Sequence, residues 1–216
     1  MRGVSRMGLW AIGDIHGCLR PLERLIEKIS PGEGDKLIFL GDYIDRGPDS
    51  KGVVDFLIHL SKRVQCVFLR GNHEQMLLDV VDNNDDIFLW NLNGAQATIR
   101  SYGNLLELET SEEHMNFYRN TKYYHIEGNY LFVHGGVRPN VLINRQEPRD
   151  LIWIREEFIR KRHNLGFIVI FGHTPFEDVY KDADKIGIDT GCVYGGKLTA
   201  IELKMGTVVQ EVCSNV

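Results

Sequence analysis

The sequence predicts an α/β fold, because apolar segments of strand length alternate with helical patterns over residues 9–80. Each of the first three strand-like segments runs directly into a polar cluster that contains glycine. Alternating strands and helices imply a mostly parallel sheet, and such sheets bind ligands beyond the carboxyl ends of their strands. The functional site is therefore expected at these polar clusters.

The first three predicted strands span 9–12, 37–40 and 64–69. The first helix ends at the Ser-Pro-Gly stop of residues 30–32, and the second helix begins after the Pro-Asp-Ser segment 48–50. Each predicted helix carries apolar residues at helical spacing, so each has one face to bury against the sheet.

The rest of the chain has a different pattern. Residues 85–121 predict two or three short helices laid over the sheet, as a cap-like insertion. A single helix is predicted at 148–162. Strand-like segments are predicted at 123–126, 130–133 and 167–171, with hairpin-like segments over 179–212. Since no linker composition divides the chain, one domain over residues 1–216 is expected.

Composition places this chain among ordinary globular proteins. It has 216 residues, 43% of them hydrophobic, and a formal net charge of −5. That charge argues against nucleic-acid binding through a broad basic surface. No apolar stretch reaches the length of a membrane span or of a signal-peptide core, so a cytoplasmic protein without a membrane partner is expected. The oligomeric state is left open, and a monomer is compatible with the sequence.

The four cysteines are scattered, with no C-x-x-C pair among them. This spacing predicts neither a zinc knuckle nor a disulfide framework. Free thiols would fit a reducing cytosol.

Five polar motifs, each following a predicted strand, carry the candidate chemistry. A single Gly-Asp pair is usually only a turn, but five such motifs in this order are hard to produce by chance. They are Gly13–Gly17, Gly41–Gly47, Arg70–Glu74, His134–Gly136 and Gly172–Thr174.

These motifs predict a site for divalent metal ions. Asp14 and His16 lie two residues apart at a strand end, and a carboxylate with an imidazole suits a borderline divalent metal. Asp42 has two oxygens that can bridge two cations about 3.5–4 Å apart. A second set of ligands is completed by Asn72, His134 and His173. Two divalent cations with two carboxylates leave a site of about +2, which suits a phosphate dianion.

One further motif resembles a nucleotide-binding loop but lacks a residue that such a loop requires. Residues 191–197 match a phosphate-binding P-loop, but Leu198 stands where serine or threonine is required. A strand-like segment also follows where a P-loop needs a helix. Nucleoside triphosphate binding is therefore excluded, and a glycine-rich hairpin near the site is expected instead.

Taken together, the motifs resemble the phosphoprotein phosphatase branch of the calcineurin-like metallophosphoesterases. More narrowly, the chain is similar to small bacterial and phage-type serine/threonine phosphatases, from Gly13 to Val193. Further matching segments are Gln75-Met76, Trp90-x-x-Asn93-Gly94, Ile152–Glu156, Phe171–Pro175 and Ile188–Gly191. The resemblance implies a central β-sandwich of mixed sheets flanked by helices.

The resemblance also implies residue roles. Asp14, His16 and Asp42 would hold one metal ion. Asp42, Asn72, His134 and His173 would hold the other. His73 would protonate the leaving group with Asp45 orienting it. The phosphoryl group would be bound by Arg46, Arg70, Asn72 and Arg155. Manganese is the first candidate metal, with iron, zinc and magnesium also compatible.

The position of Pro175 narrows the resemblance to one branch. Many related metallophosphoesterases, including nuclease and cyclic-nucleotide branches, carry a second histidine at the position held here by Pro175. Proline cannot bind a metal. The first metal ion would then have three protein ligands and water, as in the phosphoprotein phosphatase branch.

The implied activity is removal of phosphate from phosphoserine and phosphothreonine in proteins, and also from phosphotyrosine, by in-line attack of activated water. The Asp45-Arg46 pair favours this activity. Two alternatives stay open: hydrolysis of a dinucleoside polyphosphate or another nucleotide, and a binding module without catalysis. The last would need an altered ligand set, and none of the six ligand positions is altered.

Overall fold

A computed structural model describes residues 7–213. Residues 1–6 and 214–216, which include most of the segment on which the signal-peptide expectation rests, lie outside the described part. Within residues 7–213, no helix is both long enough and apolar enough to cross a membrane.

Ten strands form two five-stranded sheets. In chain order they are β1 Leu9–Ile12, β2 Lys36–Phe39, β3 Gln65–Phe68, β4 Tyr124–Glu127, β5 Tyr130–Val133, β6 Ile168–Phe171, β7 Tyr180–Asp182, β8 Lys185–Gly187, β9 Lys197–Glu202 and β10 Thr207–Val212. The strand order is β10-β9-β1-β2-β3 in the first sheet and β4-β5-β6-β8-β7 in the second. In the first sheet the parallel strands β1, β2 and β3 reach one edge, and the antiparallel strands β9 and β10 lie on the other side. In the second sheet the parallel strands β5, β6 and β8 have an antiparallel strand on each side, so both sheets are mixed.

Nine α-helices lie within the described residues. They are α1 Leu19–Ile29, α2 Ser50–Ser61, α3 Asn72–Asn83, α4 Phe88–Leu92, α5 Ala95–Tyr102, α6 Leu105–Glu109, α7 Glu112–Arg119, α8 Pro148–Trp153 and α9 Glu156–Arg160.

The hydrophobic core has three layers. Side chains from both sheets, including Ile38, Phe132 and Ile170, meet in the cluster between the sheets. Helices α1 to α7 cover the outer face of the first sheet, and α8 and α9 cover the second. This αββα arrangement confirms the predicted fold class.

Several elements lie where the sequence places them. Strands β1 and β5 and helix α1 match the predicted limits, and α2 begins one residue after Asp49, whose side chain accepts a hydrogen bond from Gly52 N at 2.8 Å. The segment 85–121 forms four short helices (α4 to α7), where two or three were expected.

The prediction of one helix over 148–162 is wrong, because the chain breaks between α8 and α9. Ile154 is extended (ψ 141°) and Arg155 has φ −132° and ψ −99°. Ile154 is buried and packs into the cluster over the second sheet, which fixes this break through tertiary contacts. The break directs Arg155 away from a helix surface and towards the ends of the strands.

The expectation of free thiols is wrong for two of the four cysteines. Cys192 and Cys213 form a disulfide, although 21 residues separate them. The β9–β10 hairpin folds the chain back on itself and brings their Cα atoms to 5.2 Å, a distance that sequence spacing alone does not reveal. Cys18 and Cys66 are free. Lys197 begins strand β9, in agreement with the rejection of a P-loop.

Candidate active site

The five motifs converge at one edge of the sandwich, beyond the carboxyl ends of parallel strands from both sheets. The loops after β1, β2 and β3 come from the first sheet, and those after β5, β6 and β8 from the second. The side chains that line the resulting pocket are His16, Asp42, Arg46, Asn72, His73, Asn93, Trp153, Arg155, His173, Pro175, Asp189 and Tyr194. Asp14 and His134 lie buried directly beneath them, in contact with His173 and Asn72 respectively.

Five of the site residues have backbone conformations that L-amino acids rarely adopt. Positive φ angles occur at His16 (48°), Asp42 (52°), Asp45 (72°), Arg46 (68°) and His173 (63°). Such conformations cost about 1–3 kcal/mol each and persist only where the surrounding structure enforces them. The fold therefore holds these side chains in place at the expense of stability.

At two positions in the motifs only glycine fits, because there is no space for a side chain. A Cβ on Gly172 would collide with Oδ1 of Asp14, and a Cβ on Gly71 would collide with Oδ1 of Asp42. At both positions the backbone passes directly against a carboxylate of the site, which leaves no room for a Cβ.

Asp42 stands between the two halves of the site. Its Oδ2 lies 3.4 Å from Nε2 of His16, and its Oδ1 lies 3.4 Å from Nε2 of His134. One carboxylate oxygen therefore faces each group of imidazoles. This is the arrangement expected of a carboxylate that bridges two cations.

Two imidazoles of the site are oriented by main-chain carbonyls. Nδ1 of His16 lies 2.8 Å from the oxygen of Ile44, and Nδ1 of His134 lies 2.9 Å from the oxygen of Leu40. Since only a protonated Nδ1 can donate to a carbonyl, Nε2 is the atom of each ring that faces the site, and it carries the free lone pair when the ring is neutral. An outer hydrogen bond of this kind is the usual support of a metal-binding histidine.

The protonation of the histidines follows from their surroundings. Burial, with repulsion from His73, lowers the pKa of His16 to about 3. Burial, with repulsion from His134, lowers the pKa of His173 to about 2. Both rings are therefore neutral at pH 7, which is the form that binds metal ions. Burial by itself would also lower the pKa of His134. The negative charges of Asp42 and other nearby carboxylates outweigh this effect and raise the pKa of His134 to about 9.

Asp14 has the clearest need for a cation. Its Oδ2 accepts a hydrogen bond from His173 N at 2.9 Å, but its buried Oδ1 has no hydrogen-bond partner among the described residues. Burial, followed by the charge of Asp189, raises the pKa of Asp14 well above its usual range. A buried, unpaired carboxylate oxygen is costly unless a cation meets it. The donor set, four imidazole or amide groups and two carboxylates, thus fits divalent metal ions.

Distance alone divides the possible ligands into two groups around Asp42. One contains His16 and His73, and the other contains His134 and His173, with ligand atoms within 4.8 Å of one another in each. His73 has a different environment from the others, because its Nδ1 lies 2.6 Å from Oδ2 of Asp45. Its Nε2 is buried, has no hydrogen-bond partner among the described residues and lies 3.8 Å from Oδ2 of Asp42.

Two residues of the helical cap (residues 85–121) donate hydrogen bonds to Asp45, the carboxylate that binds His73. The indole of Trp90 in α4 donates to Oδ2 of Asp45 at 2.7 Å, and Thr98 Oγ1 in α5 donates to its Oδ1 at 2.6 Å. Asp45 is completely buried. Neither residue is assigned a role in the sequence analysis, although the Trp90-x-x-Asn93-Gly94 segment was a signal for the first of them.

Two of the three predicted arginines enter the pocket. Nη1 of Arg46 lies 2.7 Å from Nε2 of His16, and Nε of Arg155 lies 2.9 Å from Nε2 of His173. Each guanidinium therefore lies directly beside one group of candidate ligands.

Arg70 is the exception among the three arginines, and its contact with the phosphoryl group stays a prediction. It does not line the pocket formed by the described residues. Its Nε donates to Thr121 Oγ1 at 2.9 Å, and its Nη2 donates to the main-chain oxygen of Arg119 at 3.0 Å. The guanidinium also lies over the ring of Tyr123, with Cζ 5.1 Å from the centroid. In the described part of the chain these donors fasten the end of α7 to the sheet.

Glu74 and Asp189 belong to the site but were not identified from the sequence. The carboxylate of Glu74 accepts main-chain hydrogen bonds from Asp42, Tyr43 and Gly71, at 2.9, 2.8 and 2.9 Å. It therefore ties together the loops after β2 and β3. Asp189 lines the pocket, and burial, with the charge of Asp42 adding to it, raises its pKa to about 6.

With this geometry in place, comparison with known proteins gives the family. Residues 7–204 match the family described as calcineurin-like phosphoesterase. The chain belongs to the calcineurin-like phosphoesterase family. The resemblance recognised from the five motifs is confirmed.

Individual relatives cover nearly the whole chain. Serine/threonine-protein phosphatase 1 of Salmonella typhimurium is 32% identical over 91% of this chain and 92% of its own. The asymmetrical bis(5'-nucleosyl)-tetraphosphatase PrpE of Oceanobacillus iheyensis is 30% identical over 88% of this chain and 86% of its own. The crystal structure of a candidate diadenosine tetraphosphatase superposes with a TM-score of 0.73 at 24% identity, over 100% of this chain and 97% of that one. The chain is thus a phosphoesterase by family, and its relatives carry names from two substrate classes.

The hydrogen bonds to Asp45 generate a prediction about the cap. Trp90→Phe and Thr98→Val should each lower kcat on a phosphoserine peptide by roughly tenfold, since a hydrogen bond to a charged group is worth about 1.5–3 kcal/mol. Bound metal, measured by elemental analysis, should stay unchanged. Tyr102→Phe is the matched control, because it removes a buried hydrogen bond in the same cap that does not involve Asp45. Unchanged kcat in both variants would contradict the orienting role.

The unpaired oxygen of Asp14 generates a second prediction. In the presence of a chelator, Asp14→Asn should melt at a higher temperature than the wild type, because an amide costs less to bury than a carboxylate. In excess manganese the order should reverse, because the wild type gains more binding free energy. Differential scanning fluorimetry measures both, with the exposed substitution Glu33→Gln as control. A lower melting temperature of the chelated variant would show that something other than a cation stabilises Asp14.

Proposed function

We propose that this protein is a metal-dependent phosphomonoesterase that removes phosphate from phosphoserine and phosphothreonine in proteins, and from phosphotyrosine as well. Asp14, His16 and Asp42 would hold one divalent ion. Asp42, Asn72, His134 and His173 would hold the other, with manganese as the first candidate for both. When bound, the two ions supply positive charge that polarises the phosphoryl group and lowers the pKa of water.

The observation that carries this proposal is the buried His73–Asp45 pair. Nδ1 of His73 is bound to Asp45, and its unpartnered Nε2 points into the pocket beside Asp42. Serine and threonine alkoxides are poor leaving groups and need a proton as the P–O bond breaks. A nucleotide phosphate leaves readily without one. A histidine placed to donate a proton is therefore of most use for phosphoserine and phosphothreonine.

Arg46, Arg155 and Asn72 complete the proposed mechanism. All three line the pocket, and a guanidinium presents a planar fork of donors that matches phosphoryl oxygens. The two arginines lie on opposite sides of Asp42, beside His16 and His173 respectively. Together they would bind the phosphoryl group and hold it in line with its attacker.

A second candidate function is hydrolysis of a dinucleoside tetraphosphate. Several similar proteins carry that name, including the relative from Oceanobacillus iheyensis. A cleft of about 580 Å³ also adjoins the pocket, with Trp153 lining both and Tyr123 and Arg149 in the cleft wall. Such a cleft is large enough for a leaving group bigger than a serine side chain.

The leaving-group argument makes a prediction for His73→Asn. This substitution should lower kcat on a phosphoserine peptide by roughly 10²–10⁴-fold, the usual contribution of general acid catalysis. The loss on p-nitrophenyl phosphate should be clearly smaller, because p-nitrophenolate leaves without a proton. Metal content should be unchanged in this variant and reduced in Asp42→Asn. The assignment of His73 as general acid is wrong if the His73→Asn variant contains less metal than the wild type. It is also wrong if kcat falls by the same factor on the phosphoserine peptide and on p-nitrophenyl phosphate.

The choice between substrate classes predicts the outcome of a substrate panel. With manganese, iron, zinc and magnesium in turn, kcat/KM should be higher for phosphoserine and phosphothreonine peptides than for diadenosine tetraphosphate or nucleotides. Release of inorganic phosphate and chromatography of the nucleotide products measure the two classes side by side. A clear preference for diadenosine tetraphosphate would replace the first candidate by the second.

A further inference from the structure

A short glycine-bounded loop lies at the mouth of the pocket. It consists of a 3-10 helix, Cys192–Tyr194, between Gly191 (φ +70°) and Gly195 (φ +85°). Tyr194 lines the pocket but is 64% exposed, so little of its ring is fixed by packing. A large apolar side chain exposed beside a catalytic pocket needs an explanation.

The ring of Tyr194 is in contact with a proposed phosphate-binding residue. Cζ of Arg46 lies 5.7 Å from the ring centroid, within the range of a cation–π interaction. On its other side the same guanidinium reaches Nε2 of His16 at 2.7 Å. Arg46 thus has one buried neighbour beneath it and one exposed aromatic neighbour at the pocket mouth.

The position of Tyr194 is set by a covalent cross-link. Cys192, two residues before it, is bonded to Cys213 at the end of β10, and both sulfurs are buried. Cys213 N also donates to the main-chain oxygen of Gly196 at 2.9 Å. The loop is therefore tied at both ends to the β9–β10 hairpin, which pairs with β1 at the centre of the first sheet.

We propose that Tyr194 is a positioning residue for Arg46, and that the Cys192–Cys213 disulfide makes this positioning depend on thiol redox state. The inference rests on the proposed function, since that function assigns Arg46 to the phosphoryl group. Reduction by a dithiol breaks the S–S bond and forms two cysteine thiols, while the dithiol gives up two electrons and two protons and becomes a disulfide.

Loss of the cross-link leaves the loop held only by main-chain hydrogen bonds, such as Gly196 N to Gly191 O at 3.0 Å, with a glycine at each end. Glycine restricts the backbone least of all residues, so the reduced loop samples more conformations and Tyr194 spends less time against Arg46. A less ordered Arg46 weakens binding of the phosphoryl group. The expected signature is a higher KM with little change in kcat, because His73 and the metal ligands are not attached to this loop.

The test uses the full chain loaded with manganese and p-nitrophenyl phosphate as substrate. Enzyme is reduced with dithiothreitol, freed of the reagent and compared with untreated enzyme. Thiols titrated after denaturation should be two for the untreated protein, Cys18 and Cys66, and four after reduction. Reduction should raise KM by roughly two- to fivefold, the size of an exposed cation–π contact.

Four variants separate positioning from a purely structural effect. Tyr194→Phe keeps the ring and should retain the low KM and its response to reduction. Tyr194→Ala should show the raised KM and no further response. Cys213→Ser should reproduce the reduced wild type, while Cys66→Ser, which leaves the cross-link intact, should match the untreated enzyme.

The inference is overturned if the untreated protein contains four free thiols, if KM is the same before and after reduction, or if Tyr194→Ala still responds to reduction. None of these outcomes contradicts the proposed function, provided that the manganese-loaded enzyme hydrolyses p-nitrophenyl phosphate. If the manganese-loaded wild type hydrolyses no phosphomonoester, the proposed function fails and the role of Tyr194 fails with it.

Discussion

The site depends on negative charge that is buried where the two sheets meet. Asp42 belongs to the first sheet, yet its two oxygens face His16 from that sheet and His134 from the other. Asp14 from the first sheet likewise accepts a hydrogen bond from the main chain of His173 in the second. Because each carboxylate joins the two sheets, the sandwich and the site are assembled by the same contacts. Neither sheet alone could present the full set of candidate ligands.

This arrangement is costly to the folded protein. Five site residues have positive φ angles, and an oxygen of Asp14 is buried without a partner among the described residues. The structure compensates with rigid supports around the site. Glu74 binds three main-chain N–H groups of the adjoining loops, and carbonyl oxygens orient two of the imidazoles. Strain and unpaired charge at such a place are typical of a site whose stability is completed by bound cations.

The helical cap has a chemical function as well as a covering one. Through Trp90 and Thr98 it holds the carboxylate of Asp45, which in turn holds His73. Arg70 fastens the far end of the same cap to the first sheet. An arginine in a motif of the candidate site therefore contacts the cap, while a tryptophan of the cap contacts the carboxylate beside His73.

The sequence by itself determined the fold class, the first strands and helices, and the identity of the six candidate metal ligands, but not the parts played by Glu74, Asp189, Trp90 and Thr98. It could do so because each motif directly follows a strand, and parallel strands end at a common edge. Only the tertiary structure decided the broken helix at Arg155, the direction of Arg70 and the Cys192–Cys213 disulfide. Each of these depends on contacts between segments far apart in the chain. Local periodicity and spacing carry no information about such contacts, which form only when the whole chain folds.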